Sequence, residues 1–138
     1  MSEYWIKTIF ATLLLGAGLT AFLSMMARMG RPGDEARLER LRKLHKRAGY
    51  AFIALLAPLA GLGAHLLAEI GDSLTARGTF HFVLAMTLLA ILLVKFLIVK
   101  TYRQLLRYAN SLGIALFSLT LVIFLITAGY YVLVSLAG

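Results

Sequence analysis

The chain has 138 residues and a formal net charge of +8. Hydrophobic residues make up 61% of it and charged residues only 14%, where soluble domains run nearer ~25% charged. With a mean hydropathy of +0.87 and no cysteine, a soluble globular domain, a disulfide-stapled secreted fold, a thiolate metal site and a cysteine nucleophile are all excluded. Eleven of the fourteen Lys and Arg lie within residues 28–47 and 100–107, beside apolar runs. That distribution is a topology signal, not a nucleic-acid-binding face.

A bilayer core of about 30 Å requires roughly 20 apolar residues in helical form. Four runs reach that length, at about residues 4–27, 49–68, 78–99 and 112–136. They show no sustained period-2 alternation, and lipid forces each segment to satisfy its own backbone groups, so the expected fold is an all-α polytopic bundle of four transmembrane helices. The first run lacks a basic segment before it and ends in Met25-Met26-Ala27-Arg28, without a small-residue cleavage site. It reads as a retained span, not a signal peptide.

Between the first two spans, residues 28–48 form a charged inner segment. Pro32-Gly33 breaks the chain, Asp34 is placed to cap a helix, and Glu39 precedes Lys43 by one turn, predicting a charged helix that runs into span two. Spans two and three are joined by Ile70-Gly71-Asp72-Ser73-Leu74-Thr75. Gly71 serves as a C-cap and Ser73 or Thr75 starts the next helix. A turn this tight predicts that spans two and three are antiparallel neighbours. Only Lys7 and Arg77 stand on the side opposite the eleven clustered cations. The positive-inside rule therefore predicts both termini outside, with Tyr4, Trp5, Tyr130 and Tyr131 in an outer aromatic belt.

Ionisable residues at membrane depth are the functional candidates. All six acids fall at span ends or in water, which leaves His65, His81, Lys95 and, at the inner edge, His45. His65 and His81 lie about 9 and 12 Å from the outer turn at 1.5 Å per residue, so two imidazoles reach nearly the same depth on adjacent spans. Gly61 and Ala68 flank His65 by a turn on either side, Ala85 lies a turn from His81, and Arg77 is four residues before it. These small residues would admit a macrocycle, and the guanidinium would meet a propionate; close helix packing and a snorkelling charge are the plainer readings. Two imidazoles without carboxylate or thiolate make a poor zinc site. Haem supplies four equatorial nitrogens and needs only axial ligands, so the pair is read as holding one haem b; interhelical hydrogen bonding is the competing role. No C-x-x-C-H occurs, which excludes covalent attachment.

His45 lies about 30 Å from His65 along the helix and is expected to be interfacial and solvated. A second haem there would have only Met25, Met26 or Met29 as a partner ligand, so one haem is expected. Lys95 is expected to snorkel to the inner head groups, the alternative being a contact with a quinone, a lipid phosphate or a partner near the cytoplasmic side. Gly16-Ala17-Gly18 reads as a packing motif. No catalytic triad can be assembled, since no acid reaches the depth of either buried histidine.

His45-Lys46-Arg47-Ala48-Gly49-Tyr50, Pro58, His65, His81, Lys95 and Thr127-Ala128-Gly129-Tyr130-Tyr131 together resemble small bacterial four-helix membrane cytochromes b. These are distant relatives of the ascorbate-type transmembrane cytochromes and ferric-reductase-like domains. The resemblance covers residues 45–131 and implies haem b in a helical bundle and transmembrane electron transfer in a bacterial cytoplasmic membrane, with a redox partner protein or quinol. Two-haem members use four histidines and this chain has three, which departs from the pattern at the inner haem. The expected function is electron transfer as a subunit or anchor of a larger redox assembly. The alternatives are a cofactor-free accessory subunit and, more weakly, a metal permease, which the lack of intramembrane carboxylates disfavours.

Overall fold

The computed structural model describes residues 3–30 and 33–138; Arg31 and Pro32, half of the expected chain break, lie outside them. Among the described residues the chain is all helical, with four helices long and apolar enough to cross a membrane. Helix α1 is Glu3–Gly30, α2 is Glu35–Ile70 and α3 is Ala76–Lys100. A 3₁₀ turn at Arg103–Tyr108 leads into α4, Ala109–Phe124, which continues through a π turn at Leu125–Gly129 into α5, Tyr130–Ala137.

The caps are local chemistry. Asp34 accepts from the backbone N–H of Ala36 at 3.3 Å to start α2, and Glu39 pairs with Lys43 at 3.8 Å on its exposed face. Gly71 closes α2 at φ 57° with its N–H on the Leu67 carbonyl. Thr75, of the two expected starters, opens α3 by accepting from Gly78 N–H at 3.2 Å. Ser73 instead turns its hydroxyl back to the Ile70 carbonyl at 2.7 Å. Only glycine adopts the Gly71 conformation without strain, so Gly71→Ala is expected to destabilise the chain by roughly 1 kcal/mol. Thermal unfolding in detergent would show it; an unchanged midpoint would mean that the hairpin relaxes freely.

Helix α1 is the central element, packed between α2 and α4, and α3 packs on α4. Gly18 makes this possible: a Cβ there would lie 3.3 Å from the Phe52 ring and 3.8 Å from Phe117, so α2 and α4 both close on the groove it leaves. Phe22 stacks on Phe117 with centroids 4.7 Å apart, just below. Gly18 thus fulfils the packing role expected of its motif, while Gly16 meets nothing. Leu14, Phe52, Leu56, Leu88 and Leu116 form the buried core, one or two from each of α1 to α4.

The expectation that spans two and three are packed neighbours is corrected. Helices α2 and α3 join through the Gly71 turn and touch the same core cluster, but their backbones do not pack together. The large side chains of α2 that find a groove, Phe52 and Leu56, find it on the inner half. From residue 61 to 66 every α2 residue is exposed, and Gly61 and Gly63 have open space where a Cβ would stand. A short turn fixes where a helix begins and leaves open which neighbour it packs on. One long edge of the bundle, between α2 and α3, is therefore open.

At one end of the bundle Tyr4 stacks on Tyr131 at 5.6 Å and Trp5 meets the same ring edge-on at 5.8 Å. The first and last helices therefore meet at the end of the bundle that carries the Gly71 turn.

Candidate functional site

His65 stands five residues before the end of α2 and His81 five residues after the start of α3, each about 7.5 Å along its helix at 1.5 Å per residue. The imidazoles differ in surroundings. The His65 side chain is 73% exposed, and its Nδ1 lies 3.4 Å from Glu69 Oε1 one turn on. Nine residues separate it from the core residue Leu56, which places it roughly opposite the packed face of α2. Among the described residues no hydrogen bond joins the two histidines. His81 is half-buried, its Nδ1 is enclosed, and among the described residues neither ring nitrogen has a hydrogen-bond partner. Buried polar groups nearly always find partners, so an orphaned imidazole nitrogen calls for a ligand or an acceptor.

The wall facing His81 is irregular. Arg77 lays its guanidinium 3.8 Å over the Tyr130 ring, and at the other end of α3 the Lys95 ammonium reaches Gly113. Interpolating between these two contacts of an antiparallel pair sets His81 level with residues 126–127, inside the π turn Leu125–Gly129. There Thr127 donates its hydroxyl to the Ile123 carbonyl at 2.6 Å, and a Cβ on Gly129 would stand 3.2 Å from the Phe124 carbonyl oxygen. π turns inside α-helices are rare and concentrate at functional sites. Arg77 thus serves a cation–π contact between α3 and α5. Arg77→Gln is expected to cost about 0.5–1 kcal/mol in detergent unfolding; no loss would show that the ring contact contributes nothing. Gly61 lines the open side, exposed and without a neighbour.

Two expectations at the opposite end are corrected. His45 is not a solvated interfacial residue: it is half-buried, with Nδ1 2.8 Å from the Ala21 carbonyl of α1. A carbonyl only accepts, so Nδ1 carries a proton and donates it. The buried Ser24 hydroxyl donates to the same carbonyl at 3.0 Å. Lys95 does not reach outward: a Cβ on Gly113 would lie 2.9 Å from Lys95 Nζ and 3.2 Å from Met25 Sδ, so the ammonium points across to α4 and α1. Both residues lie at heptad spacing from the core, His45 seven before Phe52 and Lys95 seven beyond Leu88. That spacing places both on the packed face of their helices once Phe52 and Leu88 are seen to be core.

The donor set bears on which cofactor fits. Among the described residues no three His, Cys, Asp or Glu side chains gather as a bare metal ion requires. A haem needs axial donors and helices standing further apart than the 8–10 Å of direct packing. His81, whose ring has no hydrogen-bond partner among the described residues, could serve as one such donor; His65 stands on the exposed side of α2, so the structure does not bring the two imidazoles together.

The chain matches no protein-family model, no curated protein and no solved structure.

Proposed function

We propose that the chain is a multi-pass membrane cytochrome b, with both termini outside, that transfers electrons through one haem b held at its outer end by His81 and His65. It serves as a subunit or anchor of a larger redox assembly in a bacterial cytoplasmic membrane, exchanging electrons with a partner protein or a quinol. The observation that carries this reading is His81: an imidazole enclosed at Nδ1, without a hydrogen bond among the described residues, and level with a π turn of the neighbouring helix. The haem supplies one-electron chemistry; the chain supplies axial nitrogens, an apolar wall and the span across the bilayer.

For His65 to serve as the second ligand, the outer part of α2 must turn its face towards α3. Residues 61 to 66 of that part are all exposed, and Pro58 lies just before it, where the missing N–H removes one helix hydrogen bond. Glu69 beside His65 Nδ1 is the kind of carboxylate partner that raises the basicity of a ligating imidazole. The eleven clustered cations support the orientation.

The second reading, a cofactor-free accessory subunit, is favoured by the exposure of His65 and its pairing within its own helix. Oxidised and dithionite-reduced absorption spectra with a pyridine haemochrome assay separate the two. Sharp α and β bands at near one haem b per chain are expected. A colourless chain from haem-sufficient cells would sink the cytochrome and leave the packing subunit.

A further inference from the structure

At the basic end of the bundle, a cavity of about 240 Å³ opens between Met25, Arg28 and Met29 at the end of α1, Leu38 on the charged first turns of α2, and Asn110 at the start of α4. At ~30 Å³ per water this holds roughly eight water volumes. Its walls are divided by chemistry. Met25, Met29 and Leu38 are apolar, while Arg28 and Asn110 carry the hydrogen-bond donors, and no carboxylate lines it among the described residues. Arg28 of α1 and Lys95 of α3 both act electrostatically on His45, so two cations from different helices converge around this end. The nearby acids are engaged elsewhere or exposed: Asp34 caps Ala36, Glu39 pairs with Lys43, and Glu35 faces solvent. A positive cavity with apolar walls, at the level where spans one and four end, is complementary to one molecule in particular.

We propose that this cavity binds the head group of an anionic phospholipid, with the phosphate on Arg28 and Asn110 and the first acyl carbons against Met25, Met29 and Leu38. Basic pockets between helices on the cytoplasmic side are suited to such lipids, and a guanidinium grips a phosphate through paired donors. A soluble phosphate would leave the methionine and leucine walls unused. The site rests on the membrane part of the reading above and is independent of the haem.

The test uses the purified full chain in mild detergent. Native mass spectrometry and thermal midpoints are recorded on titration with phosphatidylglycerol, phosphatidylcholine of the same chains, and glycerol 3-phosphate. Phosphatidylglycerol is expected to bind at least about tenfold more tightly than phosphatidylcholine, and Arg28→Gln to abolish that preference, since charge-assisted hydrogen bonds are lost. Arg37→Gln, on the same charged end but outside the cavity, should leave it within about twofold. If Arg28→Gln fails to fold, Asn110→Ala is expected to weaken phosphatidylglycerol several-fold. Equal binding of the two lipids, or an undiminished preference in Arg28→Gln or Asn110→Ala, would overturn the site. Full competition by glycerol 3-phosphate would replace it with a soluble-anion site. Membrane fractionation of the cells reads out the membrane assignment separately.

Discussion

His81→Ala is expected to convert a red protein carrying near one haem b into a colourless one that keeps its helix content and its monodispersity in detergent. The expectation follows from where the side chain stands. Among the described residues His81 makes no hydrogen bond, so its removal breaks none there and leaves the caps at Asp34, Gly71 and Thr75 untouched. A structural histidine would behave in the opposite way, and its loss would lower stability without changing any spectrum. His65→Ala should also lose the haem. Compared between haem-free chains, its effect on stability should be within about 0.5 kcal/mol, the ordinary range for an exposed side chain. His45→Ala supplies the contrast: it removes the tie to the Ala21 carbonyl, costing about 1 kcal/mol as a neutral hydrogen bond does, while the haem content stays unchanged. Retention of a low-spin haem in His81→Ala would transfer the axial role elsewhere. A haem lost only in His45→Ala would move the site to the opposite end of the bundle.

Leu88→Ala is expected to be the most damaging apolar truncation, costing about 2 kcal/mol. Leu88 is the most buried of the core residues, 2% exposed, and sits in the cluster that joins α3 to Leu14, Phe52, Leu56 and Leu116. In water such a truncation costs about 2–5 kcal/mol from lost transfer energy and the cavity together. Inside a bilayer the transfer contribution is small, because lipid chains are as apolar as the core. What remains is dispersion lost across a void, which places the effect at the low end of that range. Leu93→Ala, at 61% exposure on the same helix, should change stability by less than about 0.5 kcal/mol. Unfolding by a denaturing detergent compares the two. Equal losses would mean that the Leu88 layer is not what holds the four helices together.

Much of the helical framework was legible before any fold was seen, and the reason is locality. The spans follow from run length and hydropathy, and each lies within a helix of the structure. Asp34, Gly71, Thr75 and the Glu39–Lys43 pair act through hydrogen bonds or charges no more than four residues away in the chain. Tyr4, Trp5 and Tyr131 meet because the first and last helices reach the same end of the bundle. In the candidate site, the matching depth of His65 and His81 was readable for the same reason. Depth along a helix is a count of residues.

Rotation about the helix axis was not readable, and it decides the rest. Spans that are apolar on every side carry little amphipathic signal, so the sequence does not say which face meets a neighbour. Interhelical fit chooses it: Gly18 admits Phe52 beside Phe117, which makes α1 central and leaves α2 and α3 apart despite their tight turn. The same choice turns His45 and Lys95 inward, leaves His65 on an open face and encloses His81 opposite a π turn. Composition and local chemistry thus determined four apolar helices, their caps and the charge of each end. The order in which those helices pack, and the direction in which each histidine points, came only from tertiary contacts, because a long apolar helix can present any face until a partner's shape selects one.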